Sequence, residues 1–87
     1  MAQVVYSSHA LDDVEQARPF ANAAAIQSAV DSLEAHPLVG RRVEGDLREL
    51  VISFGETGYI ALYRFVIQKD EVRVLALRHQ REIGYLP

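Results

Sequence analysis

Residues 47–78 read LRELVISFGETGYIALYRFVIQKDEVRVLALR, and this stretch decides the fold. Leu47 to Phe54 alternates, with Leu50, Ile52 and Phe54 on one face and Glu49, Val51 and Ser53 on the other. Gly55-Glu56-Thr57-Gly58 reads as a hairpin turn. Tyr59 to Ile67 is an almost wholly apolar strand, broken only by Arg64. Gln68 to Glu71 forms a second turn, and Val72 to Arg78 is the last strand. Three consecutive strands with short turns predict an antiparallel meander.

What precedes the meander must cover it. Gln3 to Ser7 is β-branched and aromatic, which predicts a short first strand. Ser7 or Ser8 can cap a helix, because a hydroxyl accepts a bond from an orphan backbone N–H. Asp12 and Asp13 then sit near its positive end, and Ala10, Leu11 and Val14 mark its buried side. Pro19 ends this helix and suits the first turn of the next. Residues 20–35 are strong helix material, with Ala23, Ile26, Val30 and Leu33 on one face, and Pro37 stops it. Gly40 to Asp46 reads as a polar loop.

The order β-α-α-β-β-β predicts an α+β fold: an N-terminal strand, a two-helix hairpin and a three-stranded antiparallel meander. The helices cover one face of the sheet, and the other face has no helix of its own. The first strand is expected at an edge or beside the last strand.

With 87 residues, 1–87 form one domain. The apolar fraction of 49% is enough for one modest core and argues against disorder. There are no cysteines, so disulfides and thiolate metal sites are excluded. Ala2 onward reads as a strand rather than a signal peptide, and no run is long enough to span a membrane. A cytoplasmic protein with no membrane contact is expected.

The net charge of −3 argues against a general nucleic-acid binder. Its distribution is uneven. Residues 1–40 hold Arg18 alone against Asp12, Asp13, Glu15, Asp31 and Glu34, whereas eight of the nine basic residues follow. Eight of the nine are arginine, which suits bidentate contacts to carboxylate or phosphate. A solvated surface explains them equally well.

His9, at a helix start, reads as a surface or capping residue, and His36 as a cation at a helix end. No histidine pair has metal-ligand spacing, so no metal and no cofactor is expected. Arg64, between Tyr63 and Phe65, must reach solvent, pair with a carboxylate on a neighbouring strand, or bind something. Arg48 reads as an edge salt bridge.

The sharpest cluster closes the chain: Arg78-His79-Gln80-Arg81-Glu82-Ile83-Gly84-Tyr85-Leu86-Pro87. His79 can act as acid or base, Arg81 can stabilise a phosphate, and Tyr85 can stack or donate a proton. Together they could cleave RNA through its 2′-hydroxyl. The other reading is a tail that folds back on the sheet, with Arg81 pairing Glu82 or Glu49.

The whole chain resembles the RelE/ParE superfamily, the toxin halves of type II toxin–antitoxin modules. The matching pieces are the β-α-α opening, Leu47-Arg48-Glu49-Leu50-Val51-Ile52, Gly58-Tyr59 through Leu62-Tyr63-Arg64, and His79-Gln80-Arg81-Glu82 with Gly84-Tyr85. The resemblance implies a growth-inhibiting toxin held inactive by a cognate antitoxin. RelE-like members cleave mRNA on the ribosome without metal, and ParE-like members inhibit DNA gyrase.

Val51 and Ser53 stand where the RelE-type nuclease has lysines, and Ile60 stands where it has an arginine. Arg64 lies four residues beyond, displaced by about 13 Å on the same face. The C-terminal part is kept in His79, Arg81 and Tyr85. By alternation Val51, Ile60, Leu62, Leu75 and Leu77 point away from the helices. An apolar face suits a protein partner, whereas an RNA-cleaving face needs cations.

The expectation is therefore a gyrase-binding toxin. The antitoxin would cover Val51, Ile60, Leu62, Leu75 and Leu77. The target would meet Arg64, Arg78, His79, Arg81 and Tyr85. The alternatives are a ribosome-dependent mRNA endonuclease with His79, Arg81 and Tyr85 as catalytic groups, and an inactive binding module of the same fold.

Overall fold

The computed structural model describes residues 1–17, 23–54 and 57–79. Five strands form one sheet in the order β1-β5-β4-β3-β2. They are β1 (Gln3–Tyr6), β2 (Arg41–Glu44), β3 (Leu47–Phe54), β4 (Thr57–Val66) and β5 (Glu71–His79). β1 runs parallel to β5 at one edge, and the other pairings are antiparallel. Helices α1 (Ser8–Ala17) and α2 (Ala23–Asp31) pack on one face, α1 against β5 and α2 against β3. A 3-10 turn over Ser32–Glu34 extends α2.

The helix-bearing face holds the core. Ile26, Val30 and Leu33 of the second helical segment are buried, as their spacing predicts. They meet Ile52, Tyr59, Ala61, Tyr63, Val72 and Val74 of the sheet. Burying each aliphatic side chain contributes about 1.5–3 kcal/mol. The buried side of α1 is Ala10, Val14 and Ala17 rather than Leu11, which is exposed. The three-four spacing of 10, 14 and 17 turns Leu11 outward. Ala23 lies in α2, but its side chain is outside the described residues.

Residues 40–46 correct the expected polar loop, because Arg41–Glu44 is a strand. All four of its residues are exposed, so no apolar alternation marks it. It forms because its backbone pairs with β3: Arg41 stands opposite Glu49 and Arg42 opposite Arg48. The turn expected at 68–71 is a 3-10 turn over Ile67–Lys69, closed by Asp70 in the left-handed region.

A β-bulge changes the phase of β5. Leu62 faces Ala76 and Tyr63 faces Val74, so Leu75 is the extra residue. Beyond it every side chain changes face. Leu77 therefore lies opposite Ala61 in the helix-side core, and its expected place on the far face is corrected.

The same stretch of β5 outruns β1, which ends at Tyr6 opposite Val74. The backbone groups there are met by Ser7 and by α1. The Ser7 N–H donates to the Val74 carbonyl at 2.9 Å, and the Ser7 hydroxyl to the Leu75 carbonyl at 3.2 Å. The Leu77 N–H donates to Asp13 Oδ2 at 3.0 Å. Ser7 also caps α1, its hydroxyl accepting the Ala10 N–H at 3.0 Å.

Candidate functional site

The register puts three rows on the face without helices. They run Leu47–Arg64–Arg73, Glu49–Leu62–Ala76 and Val51–Ile60–Arg78 across β3, β4 and β5. Val51 is 54% exposed, Leu62 and Leu75 are half-buried, and Ile60 is only 2% exposed. Of the five apolar residues expected here, Val51 and Leu62 present a surface and Ile60 is buried. Leu75 stands at the bulge, and Leu77 belongs to the core.

The arginines of this face are matched within the chain. Arg64 Nε lies 2.8 Å from Asp46 Oδ1, in the β2–β3 turn rather than on a neighbouring strand. Arg73 Nε lies 2.6 Å from Glu71 Oε1, and Arg41 lies 2.5 Å from Glu49 Oε1. Glu49 is buried, so its carboxylate needs such a partner. Exposed pairs of this kind contribute little stability, but they cancel charge locally.

Arg78 points to the same face as Ile60, and its guanidinium reaches α1 around the sheet edge. One terminal nitrogen lies 3.2 Å from His9 Nε2, and its Nε lies 3.8 Å from Asp13 Oδ2. His9 itself stands 3.4 Å from the same carboxylate oxygen. His9 is thus an Arg78 neighbour, and the cap is Ser7. The sequence carries one signal of this cluster, the i,i+4 spacing of His9 and Asp13. Nothing in it reveals that Asp13 closes the edge of β5.

His79, next in the chain, faces the other way. It stands opposite Tyr59 in the register, and the two rings meet edge to face with centroids 5.2 Å apart. Arg78 and His79 therefore lie on opposite faces, and the expected target-binding set is divided by the sheet. Arg64 and Arg78 share the helix-free face about 13 Å apart along it. Arg81 and Tyr85 lie outside the described residues.

At the β2 end of the sheet, Tyr63 is fully buried and its oxygen accepts the Gly40 N–H at 2.8 Å. Burial pushes the Tyr63 phenol above its ordinary value, while the Gly40 bond and the nearby Arg48 act in the opposite direction. Burial, with Asp31 adding repulsion, also raises Tyr6. Gly40 must be glycine, since a Cβ there would stand 2.6 Å from the Tyr63 ring and 2.8 Å from the Glu49 carbonyl. Arg48 makes no salt bridge among the described residues. Its guanidinium donates to the Leu38 carbonyl at 3.1 Å and the Gly40 carbonyl at 2.8 Å.

Among the described residues, no group of three acidic or histidine side chains could hold a metal ion. No described helix is long and apolar enough to cross a membrane.

Residues 4–84 match the family model described as "ParE toxin of type II toxin-antitoxin system, parDE". A curated relative, toxin RelE3 of Caulobacter vibrioides, is 39% identical over 57 residues, which cover 66% of this chain and 60% of that protein. The match thus spans less than two thirds of the relative's length. Among solved structures, the RelBE2 toxin–antitoxin complex of Mycobacterium tuberculosis contains a chain of similar fold. It matches with a TM-score of 0.68 and 27% identity, over 91% of this chain and 98% of that one. The intact E. coli RelBE complex matches with a TM-score of 0.70 at 14% identity, over 90% and 95% of the two chains.

Proposed function

The chain belongs to the ParE toxin family of type II toxin–antitoxin systems, and from that premise we propose that it arrests growth by binding a protein target, DNA gyrase. The observation that carries this reading is the centre of the helix-free face. The exposed Val51 and the buried Ile60 beside it stand where a RelE-type nuclease has cations. Arg78, next in the same row, is drawn to Asp13, and Arg41, Arg64 and Arg73 elsewhere on the face are each bonded to a carboxylate of the chain. A phosphate backbone is held by cations free to replace its counterions. An apolar centre with a charged rim has the composition of a protein interface instead.

A cognate antitoxin neutralises the toxin by covering Val51 and Leu62, with Leu75 at the margin. The two similar solved complexes support an antitoxin partner. The target, in the cytoplasm, meets Arg64 and Arg78 on this face, while His79 faces the helix side and Arg81 and Tyr85 remain as expected contacts of the closing segment.

A second reading is mRNA cleavage on the ribosome, favoured by the relative named toxin RelE3. There His79 would be the acid or base, Arg81 would hold the phosphate and Tyr85 would stack. One experiment separates the two. The purified chain is added to gyrase with relaxed plasmid and, in parallel, to a translating extract. We expect loss of supercoiling with intact mRNA. Cut mRNA with normal supercoiling would replace the first reading with the second. Unchecked growth on expression without antitoxin would reduce the chain to a binding module.

A further inference from the structure

We infer that the pocket between β2, β3 and the turn at Ile67 binds an acidic side chain flanked by an apolar one, in a segment of a partner protein. Arg42 and Arg48 stand directly opposite each other on neighbouring strands and line this pocket together. Like charges so placed repel. Among the described residues neither has a carboxylate within ion-pair distance. Arg42 Nε donates to the Gly45 carbonyl at 3.0 Å, and Arg48 to two backbone carbonyls. Backbone oxygens fix the guanidinium groups but leave both charges unmatched. Asp46 also lines the pocket, but it is bonded to Arg64.

The rest of the lining is apolar. Phe65 forms part of the wall, and Leu38 and Ile67 stand at the rim, 55% and 74% exposed. A carboxylate placed between the two arginines would relieve their repulsion through charge-assisted bonds. Its apolar neighbour would cover Leu38 and Ile67.

The size decides against a nucleotide. The cavity measures about 170 Å³, below the range of about 300–1,000 Å³ usual for small-molecule sites. A nucleic-acid track would also continue the cationic row, whereas this pair ends at apolar side chains. The inference needs only the pocket and does not depend on the gyrase reading.

The test is an NMR titration of the purified chain with the blocked peptide Leu-Glu-Phe, its Leu-Gln-Phe counterpart and oligouridylate. We expect saturable shifts at Gly45 and Arg42 with the glutamate peptide, and binding about tenfold weaker with the glutamine one. Arg42→Gln removes one of the two charges and, within the chain, only the bond to Gly45, and should bring the first affinity down to the second. No saturable shift at millimolar peptide, or equal binding of the two peptides, would overturn the inference. So would tighter binding of oligouridylate at the same residues. A chain that proved inactive on gyrase would leave every one of these outcomes readable.

Discussion

The two faces of the sheet are built from the same strands but follow different rules. On the helix-bearing face Ile52, Tyr59, Ala61, Tyr63, Val72 and Val74 pack against Ile26, Val30 and Leu33, and apolar burial fixes each position. On the other face Arg41, Arg64 and Arg73 are matched singly by Glu49, Asp46 and Glu71, and Val51 stays in water. The first face makes the fold. The second is charge-balanced around the exposed Val51, where we propose that a partner binds. Substitutions should therefore divide by face, with large stability effects on one and binding effects on the other.

The largest effect is expected where β2 joins the helix side. Gly40→Val drives a side chain into the Tyr63 ring and the Glu49 backbone. It should cost about 3 kcal/mol, read in denaturant unfolding. A loss below about 0.5 kcal/mol would mean that this junction is looser than the buried Tyr63–Gly40 bond implies.

Asp13→Ala comes next. It leaves the Leu77 N–H without its acceptor and takes the carboxylate from beside Arg78. The expected cost is about 2 kcal/mol, with faster amide exchange at Leu77 than at Val72. Unchanged exchange at Leu77 would remove α1 as the closure of the β5 edge.

A smaller effect is expected at alkaline pH. The Tyr63 and Tyr6 phenols are both raised from 10.0 in the fold. Their contribution is complete while the unfolded phenols are still protonated. As pH rises past 10.0 the unfolded chain ionises first, and stability falls until the folded phenols also ionise. Tyr63→Phe should flatten this decline. It also leaves the buried Gly40 N–H unpaired, so its stability at neutral pH should be lower. An unchanged alkaline slope would assign the loss to other groups.

The least effect on stability belongs to Val51→Glu on the helix-free face. Its side chain is already more than half exposed, so the folding free energy should change by less than about 0.5 kcal/mol. Melting that falls as far as for Gly40→Val would erase the distinction between the faces.

Much of the helix-side face was legible in the sequence, because two periods are written there. Ile26, Val30 and Leu33 follow the helical repeat, and Leu50 and Ile52 follow the strand repeat. The far face shows in outline, and two of its details leave no trace in the sequence. Leu77 follows an alternation that the bulge at Leu75 interrupts, and a bulge leaves no mark in hydropathy. Arg41–Glu44 pairs through its backbone alone, so a wholly exposed strand looks like a loop.

The site was legible as residue types and not as an assembly. Arg64 and Arg78 could be singled out, but their partners Asp46, His9 and Asp13 come from distant segments. That Arg78 and His79 would part to opposite faces follows from alternation, yet clustering in the chain draws them together. Arg48 reads as an edge salt bridge, and its pairing with Arg42 gives no signal, because only the β2–β3 register sets the two opposite each other.

The central claim is that the helix-free face is a protein-binding face centred on Val51. Isothermal titration of the wild-type and Val51→Glu chains with the cognate antitoxin tests it most directly. Val51→Glu should bind at least about tenfold more weakly at an unchanged melting temperature. Equal affinities for the two chains would contradict it.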